Sequence, residues 1–169
     1  MWGEGMKTKK LAMLGLCAAL AMIFSFVESQ IPPIVPLAGV KVGLPNIAIV
    51  FVLYRVGVKE AYGVNLVRIV LTSLLFGMSH LPYALVGGLL SLTVMALMKR
   101  FTKFSSISVS VAGGLFHNIG QVAVAYFITS TAQLFTHYLP ILLVTGTVAG
   151  VVIGVVAGIA VKRLEAWTF

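Results

Sequence analysis

Four side chains in the apolar stretches of this chain are of types suited to binding a small molecule: Arg68, His117, Asn118 and Gln121. The last three stand in the middle of the run Ile107–Ile128, which has no Lys, Arg, Asp or Glu. A run of that length reads as a membrane-spanning helix, which takes about 20 residues. His117, Asn118 and Gln121 cannot face lipid cheaply in such a helix, because hydrocarbon offers their polar atoms no partner. His117 and Gln121 are four apart and share a helix face; Asn118 and Gln121, three apart, also meet. Gly113, Gly114 and Gly120 leave gaps where another helix or a bound molecule can come close. The cluster is therefore either interhelical glue or the floor of a binding cavity.

Arg68 carries the most information of any single residue. Deep in an apolar helix it costs about 2.5–3.5 kcal/mol on the insertion scale. A structural acid could offset that cost, but the candidates are only Glu28 at an outer helix end and Glu60 on the opposite side. The alternative is a water-filled cavity in which Arg68 meets an anionic group, with Asn65 on the same helix face. Gly39 to Asn46 (GVKVGLPN) adds Lys41 and Asn46 at the outer mouth of a short helix, where exposed N–H groups attract anions. His80 joins this outer set. Neither His80 nor His137 has an acid or cysteine beside it, so no metal site is assigned.

Composition limits the function classes. Of 169 residues, 60% are hydrophobic and 9% charged, with a mean hydropathy of +1.08, which excludes a soluble globular domain. The net charge of +8 would suggest nucleic acid in a soluble chain. Here the bases collect at helix ends and act as a topology signal instead. The chain has no Asp, which argues against carboxylate metal cages and Asp-based phosphoryl chemistry. Cys17 is the single cysteine, so no intrachain disulfide or thiolate metal site is expected. Carboxylate pairs, phosphate-binding loops and acid-rich prenyl-transfer motifs are all missing, and the reading is of a non-enzyme without a cofactor.

Six helices account for the chain as one integral membrane domain over residues 1–169. Residues 1–9 read as a disordered or tag-like N-terminus. The first helix covers Lys10–Val27 and is retained rather than cleaved as a signal peptide, since no polar segment follows its Ala19-Leu20-Ala21. Glu28–Gly43, broken by Pro32, Pro33, Pro36 and Gly39, is expected to pack over the bundle as a lid. Further helices are expected over Leu44–Tyr54, Val58–Phe76, Tyr83–Met98, the Ile107–Ile128 run and Pro140–Val161. A turn at Gly77–Pro82 and an outer loop at Thr131–Tyr138 separate them. Six spans put both termini on one side with Lys7, Lys9, Lys10, Arg55, Lys59, Lys99, Arg100, Lys103, Lys162 and Arg163. That asymmetry places the termini in the cytoplasm, with only Lys41 outside and Arg68 within the membrane. Ala12, Gly15 and Ala19 line one face of the first helix, open either to tight internal packing or to an approaching helix.

The segments GVKVGLPN, RIVLTSLLFG (Arg68 to Gly77), GGLLSLTVM (Gly87 to Met95) and SVAGGLFHNIGQ (Ser110 to Gln121) resemble the Gx transporter family, also labelled heptaprenyl diphosphate synthase component I. Its more distant kin are the S components of energy-coupling factor vitamin transporters, six-helix membrane proteins of prokaryotic cell membranes. The resemblance implies capture of a small anionic or amphiphilic molecule from outside, beneath the first outer loop. The candidate substrate contacts, read from the residues themselves, are Arg68, His117, Asn118, Gln121, Asn65, Asn46, Lys41 and His80. The resemblance also implies docking of a transmembrane coupling protein with two ATPases on the first helix. Kin carry Ala-xxx-Ala there, for which Gly15 and Ala19 are the nearest match. The alternatives are a non-catalytic membrane accessory of a polyprenyl diphosphate synthase and an autonomous secondary carrier, which internal repeats would mark.

Overall fold

A computed structural model describes residues 2–30, 43–101 and 104–164. The expected lid (Pro32, Pro33, Pro36, Gly39) and Lys41 fall outside these residues, as does Lys103. Six α-helices follow in order: α1 Trp2–Gln30, α2 Asn46–Arg55, α3 Val58–Phe76, α4 Leu81–Phe101, α5 Ser106–Thr129 and α6 Leu139–Arg163. No strand occurs among the described residues. A 3-10 turn, Met78–His80, joins α3 to α4, and a π-helical turn, Leu134–Tyr138, leads into α6. Four segments are long and apolar enough to cross a membrane: Lys7–Gln30, Met78–Phe101, Ser106–Thr129 and Leu134–Arg163. The chain is a multi-pass helical membrane protein.

Two boundaries differ from expectation at the N-terminal end. Residues 2–9, expected to be disordered, are the first turns of α1. The lysines there are good helix formers and nothing after Gly5 interrupts them. Glu28, assigned to the loop, is instead in the last turn of α1, where Cys17, Ala21, Ser25 and Glu28 form one buried stripe. The α3 boundaries are as expected, because Gly57 and Gly77 punctuate both ends.

The helices close into a ring. α1 packs on α2 and α3, α3 on α4, α4 on α5, α5 on α6, and α6 returns to α2. At ten residues α2 is about 15 Å long, half of a hydrocarbon core. It is buried on every side from Ala48 to Leu53 and closes the ring between α1 and α6. Ile49, Val50 and Leu53 pack there with Leu92, Met95, Val109 and Ile153 in the apolar core.

Side-chain bonds align the ends. Lys10 Nζ on α1 meets Glu60 Oε1 on α3 at 2.5 Å. Arg55 Nη2 donates to Leu164 O at 2.9 Å, and Lys99 Nζ to Leu53 O at 2.6 Å. The starts of α1 and α3 thus share one end of the bundle with the finishes of α2, α4 and α6. The described basic residues other than Arg68 gather at that end.

Glycine seams hold α5 between its neighbours. A Cβ on Gly150 would stand 2.6 Å from Val111 Cα, and one on Gly154 2.6 Å from Ile107 Cα. On the other side, a Cβ on Gly120 would lie 2.9 Å from Gly87 Cα. Close backbone approach of this kind supplies the dispersion contacts that hold helices together in lipid. Gly150→Val must push α5 and α6 apart and is expected to cost about 1–3 kcal/mol or more. Gly15→Leu, with nothing within 4 Å of its Cβ position, should leave stability unchanged. Melting temperatures in detergent compare the two. The gathered bases also predict orientation. In a Cys17→Ser background, Gln133→Cys should be labelled by an impermeant thiol reagent from outside the cell. Phe104→Cys, at the basic end, should not.

Candidate functional site

Arg68 is carried to the interior by the middle of α3, where it is 8% exposed. Its Nη2 donates to Asn65 Oδ1 one turn earlier, at 2.9 Å, and Asn65 is itself 1% exposed. The expected pairing on one helix face is therefore present. Arg68 Nε is buried without a hydrogen-bond partner among the described residues. Arg68 also makes no ion pair among them. A guanidinium has five N–H donors, so its capacity is far from used.

The space beside Arg68 is a cavity of about 60 Å³, bounded by α1, α2, α3, α4 and α5. Asn46, His80, His117 and Gln121 line it with Arg68, so five expected binding residues converge there. Ser25, Glu28, Thr72, Ser73, Phe76 and Tyr83 complete most of the wall. The cavity lies toward the end opposite the bases, between the last turns of α1 and α3 and the start of α2. That volume admits only a handful of waters.

Two glycines on α4 let the polar groups come together. A Cβ on Gly88 would lie 3.2 Å from Asn65 Nδ2 and 3.7 Å from Arg68 Nη2. One on Gly87 would lie 2.9 Å from His117 O and 3.1 Å from Gln121 Cγ. The paired glycines allow α4 to sit against the polar face of α3 and the polar face of α5 at once.

Asn118 has a different place. Its Nδ2 donates to Leu142 O on α6 at 2.6 Å, and Gly146 opposite leaves the amide its room. It also lines a narrower cavity of about 20 Å³ with Asn46, Ser91 and His117. For Asn118 the glue reading describes what is seen, whereas His117 and Gln121 face the larger space. Lys41, an expected binding residue, lies outside the described residues.

Glu28 is the residue that sequence reasoning undervalued. Its carboxylate accepts the N–H of Gly43, tying the end of α1 to the approach to α2. Gly43 adopts φ 85°, a left-handed conformation that favours glycine. Glu28 shares the cavity wall with Arg68, and its charge acts on the guanidinium across it. The available signal was periodicity, since Glu28 continues the stripe of Cys17, Ala21 and Ser25. Thr72, one turn after Arg68, was legible in the same way.

On the first helix, Ala12, Gly15 and Ala19 are all exposed. A Cβ on Gly15 would meet nothing within 4 Å. Among the described residues no group of three His, Cys, Asp or Glu side chains is placed to hold a metal ion.

The fold and the cavity define a helical multi-pass membrane protein with a polar, partly charged chamber beside its apolar core. Residues 17–160 match the family model for heptaprenyl diphosphate synthase component I, and the chain belongs to that family. No curated protein and no solved structure matches it. The geometry separates the roles of the amides. Asn118→Ala should lower stability by about 1 kcal/mol through loss of the bond to α6. Gln121→Leu should leave the melting temperature nearly unchanged, as read by thermal unfolding in detergent.

Proposed function

We propose that this chain is the substrate-binding membrane subunit of an uptake system. It takes a small molecule carrying an anionic group from the face opposite the basic helix ends. The observation that carries this reading is Arg68, buried beside a cavity with its Nε unbonded and no ion pair among the described residues. A guanidinium so placed is costly unless an anion completes it. His80, His117, Asn46 and Gln121 around the same space can orient the rest of a ligand. In this reading all six helices cross or enter the cytoplasmic membrane, and both termini face the cytoplasm. The present cavity is smaller than a vitamin-sized ligand, so binding requires the outer end to open.

Inward transfer then needs an energised partner, because the chain has no nucleotide-binding loop and no repeat of its own. The exposed face of Ala12, Gly15 and Ala19 lets a foreign helix approach α1 closely. A coupling protein with associated ATPases is the partner this reading requires. Native mass spectrometry of gently purified protein should reveal a co-purified small molecule with an anionic group. Arg68→Gln should weaken its binding roughly ten- to a hundredfold, since charge-assisted bonds are worth about 1.5–3 kcal/mol. A sharp fall in melting temperature with unchanged affinity would make Arg68 structural and overturn the cavity reading. The Gly15→Leu and Ala19→Leu variants should fold and bind ligand but lose the coupling partner on co-purification.

The family description favours a second reading, a membrane accessory to a separate polyprenyl diphosphate synthase. The chain alone should then still be inactive, since it has no Asp to hold the magnesium of a prenyl diphosphate. Given magnesium, an allylic diphosphate and isopentenyl diphosphate, purified chain should form no longer product. Product that appears only with a soluble partner would favour the accessory role over uptake.

A further inference from the structure

Ser91, in the middle of α4, holds a hydroxyl that the described fold leaves unused. The residue is 2% exposed, and its Oγ has no hydrogen-bond partner among the described residues. Other helix hydroxyls in this chain turn back on their own backbone. Ser25, Thr72, Thr93, Thr129 and Thr147 each donate to the carbonyl four residues earlier. Ser91 makes no such bond. Its Oγ lies beside Gly113 of α5, where a Cβ would come within 3.2 Å of it. A buried hydroxyl in that state is costly until a partner completes it.

Ser91 and Gly113 both line the narrower cavity of about 20 Å³, which has room for one water-sized group. Asn118 shares the wall, and with its Nδ2 committed to Leu142 O the amide has an acceptor, Oδ1, to offer. No Lys, Arg, Asp or Glu occurs in the lining among the described residues, so the space suits a neutral group. Gly43, Asn46 and His117 line both cavities, which therefore adjoin beside the start of α2. Gly88 fixes the spacing along α4. It stands against Asn65 and Arg68, and Ser91 follows three residues later, about 4.5 Å nearer the basic end.

We propose that the narrower cavity is a second subsite of the ligand site. It takes a neutral hydrogen-bonding group, a hydroxyl or an amide, at the end of the ligand remote from its anionic group. This rests on reading the larger cavity as the place where Arg68 holds that anion. Ser91 Oγ can donate or accept, and Asn118 Oδ1 accepts, so a hydroxyl on the ligand satisfies both at once. The bound molecule thus reaches from Arg68 past Asn46 to Ser91, charged at one end and polar but uncharged at the other. Ser91 sets specificity, because a ligand without the distal group leaves a buried hydroxyl unpaired.

The test uses the intact protein in detergent, freed of co-purified ligand. Binding is measured for ω-hydroxycarboxylates from glycolate to 6-hydroxyhexanoate, each beside the unsubstituted carboxylate of the same chain length. One hydroxy acid should exceed its matched carboxylate by about three- to tenfold, the effect of a neutral hydrogen bond. Ser91→Ala should bring that hydroxy acid down to its carboxylate while keeping the melting temperature of the ligand-free protein. Arg68→Gln should weaken both series alike. A sharp fall in melting temperature or failure to fold in Ser91→Ala would make the hydroxyl structural and overturn the subsite. So would a preference that survives Ser91→Ala. Hydroxy acids that bind no better than carboxylates, with both lost in Arg68→Gln, would leave only water in the narrower cavity while keeping the larger site. Binding by neither series, or binding indifferent to Arg68→Gln, would overturn both readings.

Discussion

A guanidinium buried inside the helix bundle is the constraint on which the rest of this structure depends. Placing Arg68 in the middle of an apolar helix costs several kcal/mol unless its donors are satisfied. The protein meets part of that demand with Asn65 and part with the distant charge of Glu28. Beside its remaining donors lies a space lined with amides, imidazoles and hydroxyls, the site proposed above for an anionic group. A chain that only needed Arg68 to be quiet would place an acid against it. This one holds its acid across a chamber.

That chamber exists because the helices around it are pulled close elsewhere. Gly87 and Gly88 let α4 lie against the polar stretches of both α3 and α5, and Gly146, Gly150 and Gly154 let α6 lie against α5. In lipid the attraction between helices comes from packing and hydrogen bonds, not from expelling water. Close backbone seams and the Asn118 bond to Leu142 O therefore carry the stability that a hydrophobic core would carry in water. α5 is thereby held between α4 and α6, and it carries His117 and Gln121.

The two ends of the bundle are chemically unlike. Toward the basic end, α2 packs an apolar core of Ile49, Val50, Leu53, Met95 and Ile153. Toward the other end, the start of α2 gives way to the polar cavity. Its length, about half a hydrocarbon layer, makes this division possible, since a full-length helix would fill the chamber. A polar space toward one end, backed by apolar packing toward the other, suits the binding role proposed above. A continuous channel would need a polar lining at both ends.

The sequence by itself determined that the chain crosses a membrane several times and where its helices run. Those properties follow from local transfer energies, from Pro and Gly punctuation, and from the placement of Lys and Arg. The cost of burying Arg68, His117 and Gln121 also marked them as groups that must meet either another helix or a cavity, without deciding which. What remained illegible was rotation about each helix axis. The helices here are apolar on nearly every side, so hydrophobicity does not separate a lipid-facing stripe from an interior one. Asn118 and His117 are adjacent in sequence, yet one bonds α6 and the other lines the cavity. Gly15 and Gly150 look alike in the chain, yet the first faces outward and the second meets Val111. Glu28 read as the start of a loop until the packing of α1 turned it toward Arg68. Only tertiary packing decides such facts, because an α-helix carries no intrinsic preference for which side meets a partner when lipid and protein interior are equally apolar.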